Sequence, residues 1–105
     1  MAKDEFSIVE EKHGELTKFY AKGRITSISA NVLQHKLNEA FRIGRTNVIV
    51  NMMEVTFLSS AGIRVLLVFY KRAKDEGGSL SIESPSENVV NVLGITALDE
   101  MLPKQ

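Results

Sequence analysis

The sequence contains no cysteine, which excludes disulfides, thiolate metal sites and cysteine nucleophiles and suits a reducing compartment. It has no excess charge of either sign. Lys+Arg and Asp+Glu stand at 13 each, so no overall field favours nucleic acid, an anionic membrane or acidic ligands. The basic residues do not gather into a stripe either, which argues against a nucleic-acid partner. The longest apolar run, Val65 to Tyr70, is about a third of the ~20 residues that a membrane span needs. Met1-Ala2-Lys3-Asp4-Glu5 leads straight into a strand-like segment, without the apolar region or cleavage signature of a secretory leader. A soluble cytoplasmic domain, with no membrane and no nucleic acid among its partners, is the expectation.

Chemistry-bearing motifs are equally scarce. There is neither a Gly-x-x-x-x-Gly-Lys phosphate loop nor a Gly-x-Gly-x-x-Gly turn after a strand. The close pair Gly77-Gly78 follows a helical pattern and reads as a turn. His13 and His35 are the only histidines, and neither has a second ligand at metal spacing. No cofactor, no metal and no enzymatic activity are expected.

What is present reads as one domain over 1–105. At 105 residues, 44% hydrophobic and 25% charged, the chain can bury roughly 65% of its unfolded surface around one core. Phe6 to Glu10 and Leu16 to Lys22 alternate apolar and polar residues about Gly14, the pattern of an antiparallel hairpin. Ser27 or Ser29 then offers an N-cap. Ala30, Leu33, Leu37, Ala40 and Phe41 recur at helical spacing until Gly44. Thr46 to Asn51 is a β-branched run suited to a covered central strand. Ser59-Ser60 opens a second helix that Gly77-Gly78 stops. Ser79 to Glu83 alternates as a strand. A last helix follows, capped by Ser84 or Ser86, weakened or ended by Gly94, with Leu98, Met101 and Leu102 expected to pack beyond it. The order β-β-α-β-α-β-α predicts an α/β fold with a mixed sheet of four to five strands covered by helices.

The corner Phe57-Leu58-Ser59-Ser60-Ala61-Gly62 stands out. A serine nucleophile needs a base in hydrogen-bond reach, and no triad context surrounds either histidine; Ser59 reads instead as an N-cap. The helix that starts here is apolar nearly all round. Ile63, Leu66, Leu67 and Tyr70 form one stripe, with Val65, Val68 and Phe69 away from it. Such a helix is deeply buried or faces a partner. An apolar edge near Val65 and Phe69 is expected either as an interaction surface or as packing against a neighbouring helix. A hydroxyl at a helix entrance also suits a phosphate, because free amides and the dipole favour an anion there. Arg64, one turn after Ser60, is placed to approach it. Phosphorylation would add roughly −1.5 to −2 charges, enough to abolish docking at the corner without disturbing the fold.

These residues resemble the STAS domain of anti-sigma factor antagonists. Gly23-Arg24-Ile25-Thr26 is similar to the family's Gly-x-hydrophobic-Asp segment, and Val48 to Leu67 to its central strand, Asp-Ser-Ser-Gly-Leu corner and apolar helix. Gly77 to Leu80 and Val89 to Leu98 are similar to its final strand and helix, so the resemblance spans essentially the whole chain. It implies a protein that captures an anti-sigma factor, itself a serine kinase, and so frees a sigma factor to act in transcription. It also implies that phosphorylation switches the antagonist off and a serine phosphatase restores it. The phosphate acceptor falls at Ser60, with Ser59 as the alternative. Partner contact falls at Thr26, Ser27, Ser59, Ser60, Ala61, Gly62, Arg64 and Val65. Thr26, Asn51, Ser59 and Ala61 depart from the family's Asp, Asp, Asp and Ser/Thr. A STAS interaction module of a lipid-transport or other signalling complex, without phosphorylation, is the alternative. Self-association into a homodimer through the apolar helix face is left open.

Overall fold

The computed structural model describes residues 5–95. Strands β1 (Ser7–His13) and β2 (Leu16–Ile25) form the hairpin. Gly14 makes its turn at φ 62, a left-handed conformation that glycine adopts without a Cβ clash. β2 lies parallel to β3 (Asn47–Leu58), and β3 parallel to β4 (Ser79–Glu83), in the order β1-β2-β3-β4. Parallel neighbours require crossovers; helices α1 (Ser29–Arg42) and α2 (Ser60–Asp75) supply them, and α3 (Glu87–Ile95) follows β4. This is the expected order on a four-stranded mixed sheet. The expected packing of Leu98, Met101 and Leu102 lies outside the described residues.

One face of the sheet holds the core. Phe19, Ala21, Val48, Val50, Met52, Leu80 and Ile82 point into a single apolar cluster with Leu33 and Leu37 of α1, Leu66 and Phe69 of α2, and Val89 and Leu93 of α3. Each fully buried side chain of this size contributes about 1.5–3 kcal/mol. The opposite face carries Lys18, Tyr20, Ile49, Asn51, Ser81 and Glu83, all at least partly exposed. There the Glu83 carboxylate accepts hydrogen bonds from Lys18 Nζ at 2.9 Å and Asn51 Nδ2 at 2.7 Å. These bonds hold the Glu83 carboxyl below the usual carboxylate range, and the Lys18 ammonium above its ordinary value.

Both long helices stop in the same way. The Gly44 and Arg45 amides donate to the Phe41 and Ala40 carbonyls, and the Gly77 and Gly78 amides to those of Lys74 and Ala73. Gly44 and Gly77 sit at φ 81 and 77, giving two Schellman stops. A Cβ on Gly78 would lie against the Thr46 backbone, so glycine also lets α2 turn closely into β4. Arg45 ties this end of the molecule together. Its guanidinium donates to the buried Thr17 hydroxyl at 2.7 Å and to the carbonyls of Gly14 and Leu16.

The structure corrects two local expectations and resolves others. The central strand does not end near Asn51 but runs to Leu58, because two register shifts against β2 interrupt its alternation. Met52, Val55 and Leu58 therefore all face inward at a spacing of three, as β-bulges allow. Of the two readings of the α2 edge, packing against a neighbouring helix holds for Phe69. It is 3% exposed and meets Phe41 of α1 edge-on, with ring centroids 5.2 Å apart; the exposed apolar residue of that helix is Val68, at 52%. The cap of α1 is neither Ser27 nor Ser29 but Thr26, whose hydroxyl oxygen accepts from the amides of Ile28 and Ser29. At the third helix the cap is Ser86, which accepts from the Val89 amide. The described part of that helix includes Gly94 and runs to Ile95.

Candidate functional site

The C-terminal ends of β2 and β3 lie side by side and are joined across their tips. The Ser59 amide donates to the Ile25 carbonyl at 2.9 Å. Two helix entrances, at Thr26–Ser29 and Ser59–Gly62, thereby share one rim of the sheet.

At the first entrance Thr26 and Ser29 cap each other. The Ser29 Oγ accepts from the Thr26 amide at 2.7 Å and donates to the Arg24 carbonyl at 2.7 Å. With the Thr26 oxygen serving two helix amides, this is a reciprocal capping box built from two hydroxyls. Ser27 is left exposed.

At the second entrance Ser59 is extended, at φ −77 and ψ 166, and its Oγ accepts from the Gly62 amide at 3.2 Å. Its hydroxyl is therefore occupied in satisfying one of the orphan amides that open α2. Ser60, the first residue of the helix, is exposed, and its hydroxyl has no partner among the described residues. Ala61 and Val65 are half-buried, and Arg64 is exposed. Gly62 is buried. A Cβ there would lie 2.7 Å from Ile25 Cγ2 and 2.8 Å from Leu58 Cδ1, so the lack of a side chain lets α2 start flush against both strand ends.

The structure thus brings Thr26, Ser27 and Ser59 to Val65 together at one rim, with Gly62 beneath the surface. Sequence reading placed Phe57 in the corner but missed Arg24 as a site residue. They are register partners across β2 and β3, with the guanidinium carbon 4.5 Å from the ring centre. The signal lay in the alternation of β2 through Gly23, which carries Arg24 to the outer face. Ile28, 79% exposed, was also missed.

No catalytic arrangement is formed here among the described residues. His13 lies at the far end of the hairpin, 3.0 Å from Glu11, and His35 sits on α1, 3.8 Å from Glu39. No histidine or carboxylate among the described residues bonds either serine of the corner. No group of three or more His, Asp or Glu among them could hold a metal, and no described helix is long and apolar enough to cross a membrane. Two shallow depressions lie away from the rim. One, of about 300 Å³, lies over Asn31 and His35; the other, of about 200 Å³, lies between β1 and the end of α1.

The sequence model of the STAS domain matches residues 7–104. The anti-sigma-B factor antagonist of Bacillus subtilis strain 168 is 31% identical over 80 residues, covering 76% of this chain and 72% of that protein. The unphosphorylated form of the anti-sigma factor antagonist SpoIIAA superimposes with a TM-score of 0.83 at 19% identity, over 94% of this chain and 88% of that one. The phosphorylated form of SpoIIAA, a Bacillus cell fate determinant, gives 0.77 at 18% identity, over 94% and 91%. At these identities the two structures establish the shared fold.

Proposed function

The chain belongs to the STAS domain family, and from that premise we propose that it is a single-domain, cytoplasmic anti-sigma factor antagonist, a binding regulator and not an enzyme. It captures an anti-sigma factor that is also a serine kinase, and so releases a sigma factor. Its likeness to the anti-sigma-B factor antagonist over three quarters of its length supports this role. Contact is made by the rim, through Thr26, Ser27, Ser59, Ser60, Ala61, Arg64 and Val65, with Gly62 setting its shape.

The kinase modifies Ser60, and a serine phosphatase reverses the modification. The observation that carries this assignment is the division of labour between the two serines. Ser59 is engaged as the cap, whereas Ser60 offers an exposed, unengaged hydroxyl at the helix entrance. The unpaired amides of the first turn and the helix dipole favour the phosphate there. A charge of roughly −1.5 to −2 at the centre of the contact surface blocks docking by repulsion and desolvation cost.

Incubation with a cognate anti-sigma kinase and radiolabelled ATP tests the assignment. Label is expected on the wild-type chain and on Ser59→Thr, and is expected to vanish in Ser60→Ala. Label retained by Ser60→Ala refutes the choice of acceptor, and failure of the kinase to bind the unmodified chain refutes the role.

A further inference from the structure

We propose that the rim is a cationic docking surface whose partner presents an acidic patch, with Arg24 and Arg64 as the residues that select it. The inference rests on the rim as the contact surface but adds the chemistry of what binds there. The charge of this neutral chain is unevenly placed. The two segments that build the rim, 24–29 and 56–64, contain two arginines and no carboxylate. The nearest acidic residue in sequence is Glu54, whose carboxylate lies 3.9 Å from Lys22.

Neither arginine has an ion-pair partner among the described residues. Arg64 is exposed, and no described residue pairs with its guanidinium. Arg24 is exposed and lies over Phe57, an arrangement that keeps a guanidinium extended while leaving its N–H groups free for carboxylates. Phe57 and Ile28 are 39% and 79% exposed and add the apolar anchors typical of an interface centre. Both helix N-termini bring positive dipole ends to the same rim. Every charged side chain within the two rim segments is positive, so an acidic protein surface is complementary and a basic one is repelled. Phosphate on Ser60 would cancel most of this field, which makes the switch a loss of attraction as well as a steric block.

Two measurements test this. In the first, the ¹⁵N-labelled chain is titrated with a Glu-rich decapeptide carrying a central leucine, with its Lys-rich counterpart, and with a short DNA duplex. Shifts confined to 24–29 and 57–64 with the acidic peptide, absent in a folded Arg24→Gln/Arg64→Gln chain, are expected. No shift there, or stronger binding of the basic peptide or the duplex, overturns the proposal. In the second, affinity for the anti-sigma kinase is measured against Arg24→Glu/Arg64→Glu, with a roughly 10- to 100-fold loss expected, mainly in the association rate and larger at low salt. A kinase that binds both chains equally overturns the acidic-partner proposal and leaves the antagonist role intact. Acidic-peptide binding at the rim without any kinase binding does the reverse.

Discussion

Gly62→Ala and Gly94→Ala make the same chemical change in two helices and should move stability in opposite directions. At Gly62 the added Cβ would stand 2.7 Å from Ile25 Cγ2 and 2.8 Å from Leu58 Cδ1, against an ordinary contact of at least 3.4 Å. Neither neighbour can retreat cheaply. Ile25 is fully buried and Leu58 is 4% exposed, and the Ile25 methyl sits on a β-branched carbon whose χ1 is held in one well. Overpacking of this kind costs about 1–3 kcal/mol, while replacing a helical glycine by alanine returns up to ~1 kcal/mol. The clash outweighs the gain, and a net loss of up to about 2 kcal/mol is expected. For a domain of this size that is roughly 4–8 °C in Tm per kcal/mol. At Gly94 a Cβ meets nothing within 4 Å among the described residues, so the propensity gain remains, about 0.5–1 kcal/mol of stabilisation. Urea unfolding followed by circular dichroism measures both. If Gly62→Ala matches or exceeds the wild type, the flush contact between α2 and the strand ends is not as tight as described and the reasoning fails.

Ser59→Ala should lose about 1 kcal/mol in the same assay through the missing cap, with Ser59→Asp recovering most of it, whereas Ser60→Ala should stay within roughly ±0.5 kcal/mol; equal losses at the two serines would contradict the division of labour. Thr26→Ala leaves two helix amides without their acceptor and should cost about 1–2 kcal/mol, which Thr26→Asp restores. The Glu83 carboxyl is held low by Asn51 and Lys18. Its stabilisation is therefore full above the unfolded carboxyl value and is lost as pH falls through the lower folded value. The urea midpoint should drop on that acid side in the wild type and less steeply in Glu83→Gln. Lys18, held high by Glu83, contributes below its unfolded value and loses that contribution as pH rises through the folded one, so Lys18→Met should flatten the alkaline limb.

The helices were legible because their signals are local. The stripe from Ala30 to Phe41 has one period, and Gly44 and Gly77 mark stops that need a left-handed residue. The upper half of β3 was not legible, since Met52, Val55 and Leu58 recur every third residue and their common inward direction depends on bulges set by β2. The orientation of α2 was hidden for the opposite reason. A helix apolar on most sides carries no directional signal, and the contact of Phe69 with Phe41 is what fixes its inner face. At the rim, Ser59 could be read as a cap from its position alone. Thr26 could not, because its capping role rests on a reciprocal bond with Ser29 that only the folded loop creates. Arg24 over Phe57 is likewise a product of strand register.

The entry to α3 has a consequence for self-association. β4 pairs with β3 only as far as Asn51, yet the strand continues to Leu58. The segment leading into α3 takes over there, with the Ser86 amide on the Met52 carbonyl, the Ser86 hydroxyl on that of Val55 and the Asn88 amide group on that of Thr56. These three contacts occupy an edge that would otherwise be a template for another chain. During synthesis β3 is complete some thirty residues before Ser86 emerges, so a nascent or truncated chain carries a sticky flank that the finished molecule has sealed.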